Sequence, residues 1–364
     1  MCRSSICCVI PDYVLRRIAE NGDDEQRRAA LSTMAASISM RSARTQAEGR
    51  RSVSPRAPEV SLMALDAPAK ERIIRDAGNE DNRRGDIVRR EGEDGGSDEA
   101  VDEAYDYLGD TWDFYFNVFA RNSIDKAGMP LEAVVHYRQN YDNAVWNGSQ
   151  MIFGDGSGIR FTRLTQSLAV CAHELTHGVI QYDGPLVYQR EAGALNESMA
   201  DAMGALVEQY KLKQKPSESD WLIGREIMAP GVTGVDGAPP ALRSMKDPGK
   251  AYDDDLLGRD VQPGHMRDFV ETDDDFGGVH INSGIPNNAF YRLAVKLEEQ
   301  LDKRAWEDAG RIWYASLGHE RLLPTATFRQ FARITLFVAG SLFGPGSTQT
   351  TAVGEAWSEV GIEP

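Results

Sequence analysis

The sequence predicts an α+β chain of two lobes, the first strand-rich and the second mostly helical. Three observations predict it. Strand-like runs at residues 133–137 and 150–153 lie in the first part of the chain. Stretches at 289–301, 305–317 and 325–342 repeat apolar residues at three- and four-residue spacing. Between these regions a long apolar helix, expected over about 164–182, carries His173-Glu174-Leu175-Thr176-His177 and divides one lobe from the other.

Residues 1–58 differ from both lobes. A short apolar segment, Val9-Ile10-Pro11-Asp12-Tyr13-Val14-Leu15, leads into a charged helical stretch at 16–36. Residues 37–58 hold Arg41, Arg44, Arg50, Arg51 and Arg56 and almost no large apolar side chain, which predicts an exposed linker open to proteolytic nicking. The first lobe is expected over 59–188, with a helix near 103–119 and a turn at Gly154-Asp155-Gly156-Ser157-Gly158, and the helical lobe over 189–364.

Composition narrows the class. With 364 residues and 41% apolar content, the chain has ample material for more than one core. A net charge of −16 argues against nucleic acid and anionic membrane surfaces as main partners. No run approaches the apolar length of a membrane span, so membrane insertion is not expected. The cysteines, Cys2, Cys7, Cys8 and Cys171, do not form a disulfide framework. The N-terminal apolar run ends at Pro11-Asp12, too soon for a secretory signal. The expected location is the cytoplasm, or outside the cell by a route that needs no standard signal peptide.

Histidines four apart lie on one helical face, so His173 and His177 can reach one zinc ion while Glu174 beside them serves as a base. Glu197, in Asn196-Glu197-Ser198-Met199-Ala200-Asp201 on the next helix, completes a ligand set that leaves a position open for water, as catalytic zinc requires. Asp201, one turn further on, is placed to accept the free ring N–H of a zinc histidine. The alternatives are a surface pair and a closed structural site. The apolar neighbours Leu168, Val170, Cys171, Ala172, Val179 and Ile180 speak against the first. Structural sites favour cysteine, and Cys171 faces away from the histidines.

Two further stretches carry chemistry. In Asp275-Phe276-Gly277-Gly278-Val279-His280 the glycine pair permits close backbone approach; Asp275 is placed to orient His280, which would donate to a developing oxyanion. In Asn143-Ala144-Val145-Trp146-Asn147-Gly148, the Asn143 side chain and Ala144 carbonyl suit an extended substrate backbone added as a strand; an ordinary polar turn fits equally.

From about residue 67 to 364 the chain resembles the thermolysin-like metallopeptidases. The resemblance rests on Asn143 to Gly148, Phe153-Gly154-Asp155-Gly156, His173 to His177, Gly193-Ala194-Leu195-Asn196-Glu197-Ser198, Leu242-Arg243-Ser244-Met245 and Gly278 to Gly284. The segment from Ile6 to Leu15 and the run Asn21-Gly22-Asp23-Asp24 resemble the short propeptide of the protealysin-type branch. The resemblance implies a two-lobed fold with zinc in the cleft. It implies zinc on His173, His177 and Glu197, Glu174 activating water, and Tyr188 with His280 at the oxyanion. Asp275 would support His280, and Asp201 a zinc histidine. Asn143, Ala144 and Arg243 would hold substrate backbone. Phe161, Leu164, Val170, Ile223, Ile227 and Leu242 would line an apolar pocket for the residue after the scissile bond, although plain core packing also accounts for their apolarity.

Calcium is left open as a second cation. Ala169 stands where the family places a calcium aspartate; Leu222 and Arg225 interrupt the carboxylates Glu208, Asp220 and Glu226. The propeptide is expected to inhibit from within the chain, either through a Cys7 or Cys8 thiol latched on zinc or as a segment that only packs and assists folding. The implied activity is a zinc-dependent neutral endopeptidase acting on proteins or peptides before large apolar residues and made as a self-processing precursor. Self-cleavage is expected between about 37 and 65, with Ile38, Met40, Val53, Val60 or Leu62 after the cut. The rivals are an aminopeptidase on the same scaffold and an inactive zinc-bearing protein-binding module.

Overall fold

A computed structural model describes residues 7–51 and 68–364, with side chains described for 8–42 and from 68 onward. Val53, Val60 and Leu62 lie outside the described residues. The chain opens with a short strand β1 (Cys7–Cys8) and the helices α1 (Asp12–Asn21) and α2 (Asp24–Arg51). The strand-bearing lobe follows: β2 (Arg72–Asp76), β3 (Asp86–Arg90), α3 (Glu99–Phe119), β4 (Leu131–Val135), β5 (Ala144–Trp146), β6 (Met151–Phe153) and α4 (Leu168–Asp183). The helical lobe holds α5 (Arg190–Leu212), β7 (Leu222–Ile223), β8 (Arg243–Ser244), α6 (Asp275–Asn282), α7 (Gly284–Leu301), α8 (Ala309–Leu317), α9 (Phe328–Phe343) and α10 (Thr348–Glu359).

The main sheet has the order β1-β5-β6-β4-β2-β3. Strands β2, β4 and β6 run parallel, while β5 is antiparallel to β6 and presents its other edge to β1. The N-terminal segment therefore covers a strand edge that would otherwise carry unpaired backbone groups. Helix α4 is buried from Leu168 through Ile180, as expected of a helix apolar on every side. Ser167 caps it by accepting from the Val170 N–H. The helical core gathers around Phe290, Trp313, Phe331 and Trp357, with Trp313 and Trp357 stacked at 5.7 Å.

Two expectations need correction. The helix expected at 16–36 is broken at Gly22-Asp23, where the Asp23 carboxylate accepts the Glu25 and Gln26 N–H groups and Gln26 Oε1 accepts the Asp23 N–H. This reciprocal cap starts a new helix. Nor is the run from 37 irregular, because α2 continues to Arg51. Ser37 and Met40 are buried, and the Ser37 hydroxyl lies 3.1 Å from that of Tyr141. Alanine and arginine favour helix without bulky apolar groups, so a run too poor for a core still docks as a helix by a narrow face. Ile38 and Met40 are helical and do not offer an extended bond for cleavage.

Candidate active site

Helices α4 and α5 pack side by side, and Gly204 of α5 lies against the α4 backbone. A Cβ there would meet the Ala169 carbonyl oxygen at 2.6 Å, so only glycine allows the spacing that brings Glu197 to the α4 histidines. Ligand atoms of His173, His177 and Glu197 lie within 4.8 Å of one another, and among the described residues no other group of three such donors does. The two Nε2 atoms are 3.0 Å apart, and each is 3.4 Å from a Glu197 oxygen. Nδ1 of His177 lies 2.9 Å from Asn196 Oδ1 in a hydrogen bond, and Nδ1 of His173 faces Asp201 Oδ1 at 2.8 Å as an ion-pair contact.

The electrostatics fit a divalent cation. All three donors are buried, and among the described residues Glu197 Oε2 has no hydrogen-bond partner. Burial would raise the Glu197 carboxyl, but His280, His177 and His173 outweigh it and hold it well below the usual range. Burial disfavours charge on both imidazoles. Asp201 and Glu197 nonetheless lift His173 to about 9, while His177 falls to about 3. Two facing nitrogens cannot both carry a proton, and a metal removes that conflict. Two histidines and a carboxylate, each oriented from behind, match a zinc donor set with a position left open.

Glu174 is buried beside this group. Its Oε2 accepts the Trp146 N–H at 2.8 Å, and among the described residues its Oε1 has no partner. Burial pushes its carboxyl up to about 8. Across the cleft Tyr188 donates to Glu197 Oε1 at 2.5 Å and its hydroxyl lies 3.1 Å from His280 Nε2. Asp275 grips His280 twice, at Nδ1 (2.6 Å) and at the backbone N–H (2.7 Å). Burial opposes charge on His280, yet Asp275 and Glu197 raise it to about 9. Asp275, Phe276, Gly277 and Gly278 all have positive φ, and this left-handed turn swings the carboxylate back beneath the ring.

The N-terminal segment occupies the cleft as an added strand, with Cys7 opposite Trp146 and Cys8 opposite Val145. Its contacts are made by backbone. The Cys8 carbonyl accepts from His280 Nε2 (3.0 Å), the Val9 N–H donates to the Ala144 carbonyl (3.2 Å), and the Val9 carbonyl accepts from Arg243 Nη1 (2.9 Å). The Asn143 side chain accepts the Ile10 N–H and donates to the Ile10 carbonyl, each at 3.0 Å. Val9, Ile10, Val14 and Leu15 share one buried cluster with Phe161, Leu164, Val170, Ile227 and Leu242.

Family models of the thermolysin metallopeptidase catalytic domain, its alpha-helical domain and the protealysin propeptide match residues 63–181, 184–362 and 7–35. The chain is 47% identical to an extracellular metalloprotease of Pectobacterium carotovorum subsp. carotovorum, over 98% of this chain and 97% of that one. It is 45% identical to protease PrtS of Photorhabdus sp. (strain Az29), over 98% and 92%. The solved precursor of protealysin from Serratia proteamaculans aligns with a TM-score of 0.85 at 44% identity, covering 98% and 99%.

The chain belongs to the thermolysin-like metallopeptidases. Within them it is a protealysin-type zinc endopeptidase made with an N-terminal propeptide.

Some expectations for this thermolysin-like peptidase change. The Cys8 thiol is not a latch: it is buried with Met40, Tyr141 and Val145, accepts from Arg41 Nη1 at 3.6 Å, and is not among the clustered metal donors. The thiol sits beside Met40 of α2 while the carbonyl of the same residue meets His280. The Cys7 side chain lies outside the described residues. The Ile223 carbonyl accepts the Leu242 N–H at 3.0 Å, while its side chain joins the helical core. Arg225 bonds Asp220 at 2.6 Å and Glu226 at 3.3 Å, occupying the carboxylate cluster with its own charge. Asn196, Asn287 and the Trp146 amide escaped the sequence reading. Only Asn196 left a signal there, since an amide beside a metal-binding glutamate on the same helix can serve the second histidine.

Proposed function

We propose that this endopeptidase cleaves before apolar residues and is held latent by its own prosegment lying in the cleft as a substrate would. The observation that carries the proposal is the backbone pairing of Cys8-Val9-Ile10 with His280, Ala144, Arg243 and Asn143. It fits the Cys8–Val9 peptide to the scissile position and sets Val9 among apolar side chains. A substrate bound in that register would present a leucine, isoleucine or phenylalanine to Phe161, Leu164, Val170, Ile227 and Leu242.

His173, His177 and Glu197 are the proposed zinc ligands. Zinc, when bound, acidifies a water and polarises the substrate carbonyl. Glu174, buried beside the donors with Oε1 unpartnered among the described residues, takes the water proton and delivers it to the departing amine. Nε2 of His280 and the Tyr188 hydroxyl donate to the oxyanion, and Asp275 keeps the imidazole in place. Asp201 fixes His173 and, through Nε and Nη2, the Arg243 fork that orients the residue after the cut. For the carboxylates around Glu208 we propose that Arg225 supplies the balancing charge and calcium does not.

We propose a division at 58 and 188, and the name of the Pectobacterium relative, an extracellular metalloprotease, supports action outside the cell. Among the described residues no helix is long and apolar enough to cross a membrane. The test is intact mass together with zinc content for wild type and Glu174→Ala. Self-maturation predicts that wild type sheds roughly its first fifty residues while the zinc-loaded variant stays whole. Both remaining whole with zinc bound would contradict self-maturation.

A further inference from the structure

The left-handed turn at 275–278 carries an aromatic side chain that the mechanism above does not use. Phe276 holds φ +54, a conformation costly for a side chain of that size, and the residue remains 40% exposed. One neighbour is Tyr188, edge-on at 5.7 Å. The other is the Arg41 guanidinium from α2, over the ring face at 5.7 Å from its centroid.

Arg41 reaches that place beside Cys8, with Nη1 3.6 Å from Sγ. Cys8 supplies the carbonyl held by His280, so its side chain departs where the residue before a scissile bond would project its own. The short cysteine side chain and the guanidinium beyond it follow the path that one long basic side chain would take. The enzyme holds a second prosegment arginine on the same turn, where Arg16 Nη1 meets Asp274 Oδ1 at 3.1 Å. A cavity of about 300 Å³ adjoins the turn at Gly277, and carboxylates of Glu191, Glu271 and Asp273 line it with Arg190. When the prosegment leaves, Arg16, Arg41 and its ion-pair partner Asp12 leave with it. The Phe276 face and Asp274 then stand without these basic partners, while Arg190 stays with the acidic rim.

We infer that Phe276 is a specificity residue that receives an arginine or lysine side chain from the substrate residue before the scissile bond. This rests on the endopeptidase reading above. Attraction of a cation to an aromatic face explains why a ring is worth its strained backbone here, and Arg41 over the ring shows the chemistry it accepts.

The test uses the full chain, activated by its own processing or by a trace of added protease. Quenched peptides carry leucine after the cut and arginine, norleucine or glutamate before it. Arginine is expected to exceed norleucine in kcat/KM by roughly three- to tenfold, and glutamate to fall below both. Phe276→Asn, which tolerates positive φ without the ring, should bring the arginine-to-norleucine ratio near one. Should that variant fail to fold, Phe276→Leu keeps an apolar side chain and gives the same comparison. Equal rates for the arginine and norleucine peptides in wild type, or an arginine preference that survives loss of the ring, overturn the inference while leaving the endopeptidase reading intact. No turnover of any peptide overturns the endopeptidase reading itself.

Discussion

The carbonyl oxygen of Cys8 accepts a hydrogen bond from Nε2 of His280 at 3.0 Å. The thiol of the same residue is buried away from the metal donors, and burial pushes it up to about 12. Latency then depends on backbone register and on the apolar anchors behind it. Cys8→Ala should keep the precursor latent at a stability cost of about 1 kcal/mol. Ile10→Asp, which places a charge in a buried apolar cluster, should release activity before any cleavage. Peptide hydrolysis by the uncleaved precursors, checked by intact mass, compares the two. Activation by Cys8→Ala alone would restore the thiol latch.

Asp201 is fully buried, accepts two bonds from Arg243 and one from Asn287, and lies 2.8 Å from His173 Nδ1. Asp201→Ala strands a buried guanidinium, so stability should fall by about 3–5 kcal/mol. Zinc affinity should fall about 10- to 100-fold. Denaturant unfolding and chelator competition measure these separately. An unchanged affinity would mean that His173 is oriented by something else.

These partners show what the sequence could and could not reveal. The zinc donors were legible because helix geometry converts spacing into direction: His173, His177, Glu197 and Asp201 sit one turn apart on two helices. The prosegment strand was legible as an apolar segment but not in its register, and a one-residue slip exchanges the faces of Cys7 and Cys8. The continuation of α2 was hidden because Ser37 and Met40 dock against a surface far away in sequence. The last helix, α10, went unnoticed although Ala352, Val353, Ala356 and Trp357 keep helical spacing, since threonine and glycine dilute the pattern. Apolarity does not say which of two cores a side chain enters: Ile223 packs with the helical core and Ile227 with the other.

Gly204→Ala should cost about 1–3 kcal/mol, because the added methyl meets a backbone oxygen that cannot rotate away. The required shift of α5 would move Glu197, so zinc retention should fall together with melting temperature. Loss of stability with unchanged zinc affinity would show that the ligand set tolerates the displacement.

His136 lies between Asp155 (2.7 Å) and Asp98 (2.9 Å), and those hydrogen bonds, against partial burial, raise it to about 9. Its folded value lies above the unfolded value near 6.5. Its contribution is therefore fully present below about pH 6.5 and is lost as pH rises through about 9. With solvent screening it should be on the order of 1 kcal/mol. Unfolding free energies at pH 7 and 9.5 should drop for wild type by that amount more than for His136→Gln. An equal drop in both would remove His136 from the account.

The most direct test of the central claim is turnover of a leucine-containing peptide by wild type and Glu174→Gln, both freed of the prosegment by a trace of added protease that is then inhibited, each measured with its zinc content before chelation, after chelation and after zinc is returned. The account predicts that both bind zinc, that wild-type activity disappears with the metal and returns with it, and that the variant turns over about 100- to 10,000-fold more slowly when fully loaded. A zinc-loaded Glu174→Gln enzyme as fast as wild type, or a metal-free wild type that still hydrolyses the peptide, would contradict it.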